Sequence, residues 1–270
     1  MRPLSPEELN DFATTYGLSA AVAQRDYVAV RVARAIASDR VVAEEISLKG
    51  GFALRYGYGS PRTSKDIDGT IGTKHDAVDP KRIQRLVRGQ CSDLQVRFDP
   101  RDPTLGVDSL DFGNIGYVRP LGGGFLTLEM SYRGDLILPP RHLLIDAFGV
   151  APFRVRALAV DEMIAEKWRC LVQRSPRKPG DPYDLWFLWE RFRKTEPRSA
   201  DDSIDDAQVR RLVPLKVDLR GGSAAMIAAV DQYRRVWPAA IGDTLPTDAP
   251  SYQEVRAAIL EAAGAWAPWR

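Results

Sequence analysis

The chain has 270 residues and a mass of 30.1 kDa, with 44% hydrophobic and 27% charged residues, enough for one or two folded domains and unlike a disordered chain. Two cysteines, Cys91 and Cys170, and two histidines, His75 and His142, exclude a disulfide framework and a Cys/His zinc site, and such sparse cysteine usage suits a reducing compartment. A net charge of +2 does not specify a nucleic-acid partner, no apolar run reaches the ~18 residues of a membrane span, and the N-terminus lacks a basic-then-apolar leader, so a cytoplasmic location is expected.

In chain order, Ser5, Pro6 and Glu8 spell a capping box that starts a helix. Residues 20–39 are Ala-rich with apolar residues at helical spacing, which predicts a long, largely buried helix. A short extended piece, EISLKGG, precedes a one-to-two-turn helix in FALRYGYG, ended by the loop GSPRTS with its Gly59 and Pro61. DIDGTIG reads as a strand and DPKRIQRLVRG as a capped helix. DLQVRFD, FGNIGYVRPL and GFLTLEMSYRG read as three further strands. This order predicts an α+β fold: a mixed sheet flanked by helices over residues 1–155, then a mainly helical region over 156–270, where ALAVDEMIAEKWRCLVQR, DPYDLWFLWERFRK and two later segments carry helical periodicity. Basic residues gather in three runs, around Lys81–Arg88, Lys167–Lys178 and Arg191–Lys194, each readable as a solvated helix face or as part of a polyanion surface.

The stretch SKDIDGTIG admits two chemistries. As DxDGT it is similar to the nucleophile loop of haloacid-dehalogenase-type phosphatases, with Asp66 attacking phosphorus and Asp68 as acid and base. As DxD it is similar to the metal clamp of nucleotidyltransferases of the polymerase β superfamily. The phosphatase aspartate sits at the C-terminal end of a buried parallel strand, which needs several apolar residues before it; GSPRTSK precedes it here. The later GDPYD, a second phosphatase-like motif, also follows a polar loop. The transferase reading needs a strand that delivers a glycine pair, a short helix, and the DxD strand about a dozen residues on. Lys49, Gly50 and Gly51, then FALRYGYG, then Asp66 and Asp68 meet that order. Two glycines let backbone N–H groups and a helix start approach a triphosphate. Carboxylates two apart on a strand share a face and can hold Mg²⁺ beside those phosphates.

KGGFALRYGYGSPRTSKDID, residues 49–68, resembles the KGGTALxxxYxxxRxSxDID string of the AbiEii-like nucleotidyltransferases, a family of abortive-infection and MenT-type toxins. DEMIAEKWRCLVQR and GDPYDLWFL resemble the family's later motifs, so the likeness spans about residues 45–190. It implies Mg²⁺-dependent transfer of NMP from an NTP to an acceptor hydroxyl, with a tRNA 3′ end as one acceptor and a cognate antitoxin as partner. It also implies that Arg62 and Ser64 grip phosphate or orient Asp66, that Lys167 contacts the triphosphate, that Asp184 holds that lysine or the nucleotide, and that the helical region completes the active site. The chain departs from the pattern at Phe52, where a small hydroxyl residue is usual, at Gly69, where a bulky apolar residue is common, and at Gly180, where an Arg is usual.

A third metal carboxylate is expected from FLTLEMSY: Leu126, Leu128 and Met130 alternate with Thr127, Glu129 and Ser131, so Glu129 faces away from the core, with Asp135 as the fallback. Lys49 reads equally as a strand-end lysine, Lys167 with Asp184 as an interhelical salt bridge, and Tyr183 as a base stack or a packing residue. Trp168, Trp186 and Trp189 read as core. Besides the phosphatase, a non-catalytic nucleotide- or antitoxin-binding module is the alternative that Phe52 and Gly180 motivate.

Overall fold

The computed structural model describes residues 3–72, 78–99, 103–105, 109–131, 136–193, 204–218, 220–242 and 244–266. Ser5 caps α1 (Pro6–Thr15) as the sequence predicts: its hydroxyl accepts the Glu8 N–H, and the Glu8 carboxylate accepts the Ser5 N–H. The long helix α2 (Ala20–Ala37) is buried almost all round, since its small and β-branched residues let neighbours approach from every side. Then come α3 (Arg40–Glu45), β1 (Ile46–Lys49), α4 (Gly50–Tyr58), β2 (Asp66–Ile71) and α5 (Pro80–Gln90). β3 (Thr104–Leu105), β4 (Ser109–Tyr117), β5 (Gly124–Ser131), β6 (Arg141–Ile145) and β7 (Phe153–Ala157) complete one mixed sheet of order β3-β4-β5-β2-β1-β7-β6. β2 runs parallel to β5 and β1 parallel to β7, while β1 and β2 are antiparallel.

One expectation is corrected. DLQVRFD is not a strand: Ser92–Leu94 form a 3₁₀ turn, Gln95 takes a left-handed φ of 52°, and Arg97 makes an isolated bridge to Gly116. The left-handed residue reverses the chain before an alternating ladder can extend. β6 and β7 escape the sequence reading because Arg141, His142, Arg154 and Arg156 interrupt their apolar residues, as suits β6 at the edge of the sheet, although β7 lies between β6 and β1.

The chain divides into two compact units: residues 1–59 with 63–158, and residues 60–62 with 159–270. The second contains α6 (Val160–Gln173), α7 (Gly180–Leu188) with a π-helical turn at Trp189–Arg193, α8 (Asp206–Lys216), α9 (Gly222–Asp231) and α10 (Tyr252–Trp266). Trp168, Trp189 and Trp266 are fully buried in its core, and Trp189 meets Trp266 edge-on at 4.8 Å. Both indole N–H groups of that pair donate to carboxylates, Trp189 to Glu261 and Trp266 to Asp206, which offsets the cost of burying them. Among the described residues no helix is long and apolar enough to cross a membrane.

Candidate active site

Asp66 opens β2 and Asp68 follows two residues on, so both lie on one face; each is half-buried while Ile67 between them is fully buried. The phosphatase arrangement is not met, because Asp66 stands at the start of β2, not at the C-terminal end of a parallel strand. In register, Asp68 faces Lys49 on β1 and Glu129 on β5, and Glu129 in turn faces Asp111 on β4. Residues directly opposite across a ladder point to the same side, so Lys49, Asp68, Glu129 and Asp111 form a row. Glu129 is exposed between buried Leu128 and Met130, as its alternation predicts. The sequence reading missed Asp111. Its alternation between buried Leu110 and Phe112 was readable, but its position beside Glu129 follows from a β4–β5 pairing that no local pattern contains. The Asp111 Oδ1 atom also accepts the Gly113 N–H at 2.6 Å, just where the β4–β5 register shifts.

The glycine turn lies against these carboxylates. Gly50 has a left-handed φ of 69°, and a Cβ placed on it would stand 2.5 Å from Asp68 Oδ2. No L side chain fits there. Gly50 and Gly51 form the first turn of α4, whose leading N–H groups lack intrahelical partners and carry the positive end of the helix dipole. Ser64 orients Asp66: its hydroxyl donates to the Asp66 carbonyl at 2.8 Å and accepts the Asp66 N–H at 3.4 Å.

The donor set suits a hard cation such as Mg²⁺. Asp66, Asp68 and Glu129 offer oxygens and no sulfur or imidazole, although among the described residues no group of three or more His, Cys, Asp or Glu side chains is arranged to hold an ion. Mg²⁺ needs no such cage, since it commonly takes one or two protein carboxylates and completes its shell with water and substrate phosphates. Asp135 lies outside the described residues, as does Lys194 of the third basic run.

In the second unit, Arg62 grips Asp184 with two parallel hydrogen bonds, Nε to Oδ1 and Nη2 to Oδ2, the latter at 2.6 Å. Lys167 Nζ approaches Asp184 Oδ2 at 2.7 Å and Asp181 Oδ1 at 3.3 Å, and Arg174 also meets Asp181 at 3.1 Å. Asp184 is fully buried and Lys167 nearly so. Burial alone raises the Asp184 carboxyl, but Arg62 and Lys167 together outweigh it and hold the group below the usual carboxylate range. Burial likewise opposes the Lys167 charge, and Asp184 with Asp181 overcome it, so the ammonium titrates above its usual range. Tyr183 is buried with its ring 5.2 Å from Trp186.

Each departure from the family string has a packing answer. Phe52 is buried with its ring 4.9 Å from Tyr56. A Cβ at Gly69 would collide with Met130 Sδ at 2.5 Å, so Met130 and Ile46 already fill the space of a larger residue. A Cβ at Gly180 would stand 3.0 Å from Arg62 Cζ, which places the Arg62 guanidinium where a side chain at 180 would begin. In the second basic run, Lys167, Arg169, Arg174 and Arg177 all make internal ion pairs or hydrogen bonds; Lys81, Arg85 and Arg88 of α5 are exposed, with Arg85 beside Asp79 at 3.2 Å and Arg88 over the Phe98 ring.

Residues 31–260 match the protein family described as "Nucleotidyl transferase AbiEii toxin, Type IV TA system". Among solved structures, the nucleotidyltransferase toxin MenT4 of Mycobacterium tuberculosis H37Rv is similar with 20% identity and a TM-score of 0.58, covering 98% of both chains. A putative nucleotidyltransferase from Helicobacter pylori is similar with 16% identity and a TM-score of 0.60, covering 92% of this chain and 95% of that one. JHP933, also from Helicobacter pylori, has 17% identity and a TM-score of 0.56 over 92% of each chain. At these identities the structural likeness establishes the fold. No curated protein sequence matches the chain.

Proposed function

Because the chain belongs to the AbiEii nucleotidyltransferase toxin family and is thus a nucleotidyltransferase, we propose that it transfers NMP from an NTP to an acceptor hydroxyl with Mg²⁺, in the cytoplasm, as a toxin restrained by a cognate antitoxin. The acceptor is an RNA 3′ end, with tRNA as the first candidate. The observation that carries this reading is the contact of Gly50 with Asp68, which supports a triphosphate seat against the carboxylate row.

The acceptor oxygen bonds to the α-phosphorus as the α–β bridging P–O bond breaks and pyrophosphate departs. Asp66 and Asp68 would hold Mg²⁺, with Glu129 as the third carboxylate. When bound, the metal lowers the acceptor hydroxyl's pKa and neutralises the leaving group. The protein's own part is positional. Gly50 and Gly51 offer the N–H groups of the α4 start to phosphate oxygens, and Ser64 fixes the backbone that presents Asp66. The family resemblance assigns Arg62, Lys167 and Asp184 to the triphosphate, as cations and anchoring carboxylate. Their burial and mutual pairing favour a second role, as the lock that joins α6, α7 and residues 60–62.

The test offers each α-labelled NTP with Mg²⁺ to total cellular RNA and protein. Label entering RNA, and none with Asp66→Ala of unchanged melting temperature, is expected. Label retained by Asp66→Ala would remove the assignment, and label entering protein alone would move the acceptor.

A further inference from the structure

We infer that three consecutive residues of α2, Gln24, Arg25 and Asp26, form a positioning hub for the active site, with Arg25 setting the presentation of Asp66. The inference rests on the proposed function and deepens it. Successive helix residues point about 100° apart, so three in a row fan over more than half the circumference of the helix. On a helix buried almost all round each can therefore reach a different neighbour, and here each reaches an element that carries a site residue or the turn that leads to one. Gln24 Nε2 donates to Gly122 O at 2.9 Å and its Oε1 accepts the Leu121 N–H, which clasps the β4–β5 turn leading to Glu129. Arg25 Nε donates to Ser64 O at 3.3 Å, two residues before Asp66. Asp26 pairs with Arg55 Nε at 2.8 Å, and Arg55 lies on α4, whose first turn is the glycine pair.

The start of β2 is thus held from two sides, since Thr127 N of β5 donates to Lys65 O at 3.3 Å. Two further contrasts mark the trio as more than a packing device. Arg31, lower on the same helix, uses both terminal nitrogens of its guanidinium: two hydrogen bonds to Asp93, one to Gln90 O and one to Tyr27 OH. Arg25 keeps its Nη2 buried with no hydrogen-bond partner among the described residues, an arrangement poor for stability and retained where geometry matters more. Asp26 likewise keeps its charged carboxylate in a site 2% exposed, where burial raises its carboxyl and the Arg55 and Arg25 charges do not bring it back. Functional carboxylates depend on such supporting groups for their orientation, and the loss of one costs about 10–100-fold in metal affinity or activity.

The test compares Arg25→Met with Arg31→Met. Mn²⁺ binding to the purified full chain is read by electron paramagnetic resonance, and label transfer from α-labelled NTP to total RNA by its rate at saturating NTP and its Mg²⁺ midpoint. Arg25→Met is expected to stay folded, to bind Mn²⁺ about 10-fold more weakly, to transfer label about 10–100-fold more slowly and to need more Mg²⁺, with partial recovery in Arg25→Lys, whose ammonium still donates one hydrogen bond. Arg31→Met is expected to melt earlier with unchanged Mn²⁺ affinity and Mg²⁺ midpoint. Wild-type Mn²⁺ affinity and rate in Arg25→Met, or parallel losses in both variants that follow melting temperature, would overturn the hub. If Arg25→Met does not fold, Arg25→Gln, too short to reach the carbonyl, takes its place; failure of both to fold makes Arg25 a folding residue and also overturns the proposal. Asp66→Ala runs alongside: transfer surviving there defeats the nucleotidyl-transfer site, whereas its loss together with a normal Arg25→Met defeats the hub alone.

Discussion

Carboxylates sit in opposite surroundings in the two units. On the sheet, Asp66 and Asp68 are half-buried and Glu129 is exposed, aligned by strand register beside a glycine turn. In the helical unit, Asp184 is fully buried, chelated by Arg62 and bonded to Lys167. A carboxylate meant to accept an ion from solvent must keep access to it. One that locks helices gains from burial, provided cations outnumber it. Asp26 shows the intermediate case: with Arg55 as its bonded cation and Arg25 nearby, its carboxyl is raised, whereas the doubly held Asp184 is lowered.

The comparison breaks if either duty is exchanged. On the proposed metal role of Asp66, its removal forfeits several kcal/mol of transition-state stabilisation, so Asp66→Ala should lower the transfer rate by roughly 10³-fold with urea stability within about 1 kcal/mol of wild type. Asp184→Asn should instead lose about 3–5 kcal/mol in urea unfolding, because Arg62 and Lys167 are left buried with less than their compensating charge. A rate loss without a stability loss in Asp184→Asn would place it with the catalytic carboxylates.

Gly50→Ala sharpens the sheet side. The left-handed φ costs an L residue about 1–2 kcal/mol, and the added methyl strikes Asp68, so transfer should fall at least about 10-fold with that modest loss of stability. Acid sharpens the helical side. The Asp184 carboxyl titrates lower folded than unfolded, so its stabilisation is complete above the unfolded value of about 3.9 and is lost as pH falls through the lower folded one. Urea midpoints should therefore fall below about pH 4, and less steeply in Asp184→Asn. The smallest effect concerns the acceptor: replacing Lys81, Arg85 and Arg88 of α5 by Ala should reduce the salt slope of single-stranded RNA binding by about 2.

Local signals in the sequence reached a long way. The capping box at Ser5, the buried helix of residues 20–39 and the DxD strand stand where their patterns place them, and the short helix expected after the glycine pair starts within it, at Gly50. Each is written within a few residues. DLQVRFD shows the limit: its alternation is that of a strand, and one left-handed residue at Gln95 overrules it. β6 and β7 show another, since Arg141, His142, Arg154 and Arg156 mask the apolar period.

The sequence by itself determined the chemistry on offer: two carboxylates on one strand face, glycines able to meet a phosphate, and an alternating strand that turns Glu129 outward. Tertiary structure alone decided which of these groups are neighbours. The register that lines up Asp68, Glu129 and Asp111, the reach of Gln24, Arg25 and Asp26 to three distant segments, and the clasp of Arg62 by Asp184 across 122 residues are long-range contacts. Side-chain period is a local property of the backbone, but which strand or helix lies alongside is fixed by burial of the whole core, and no short window of sequence contains it.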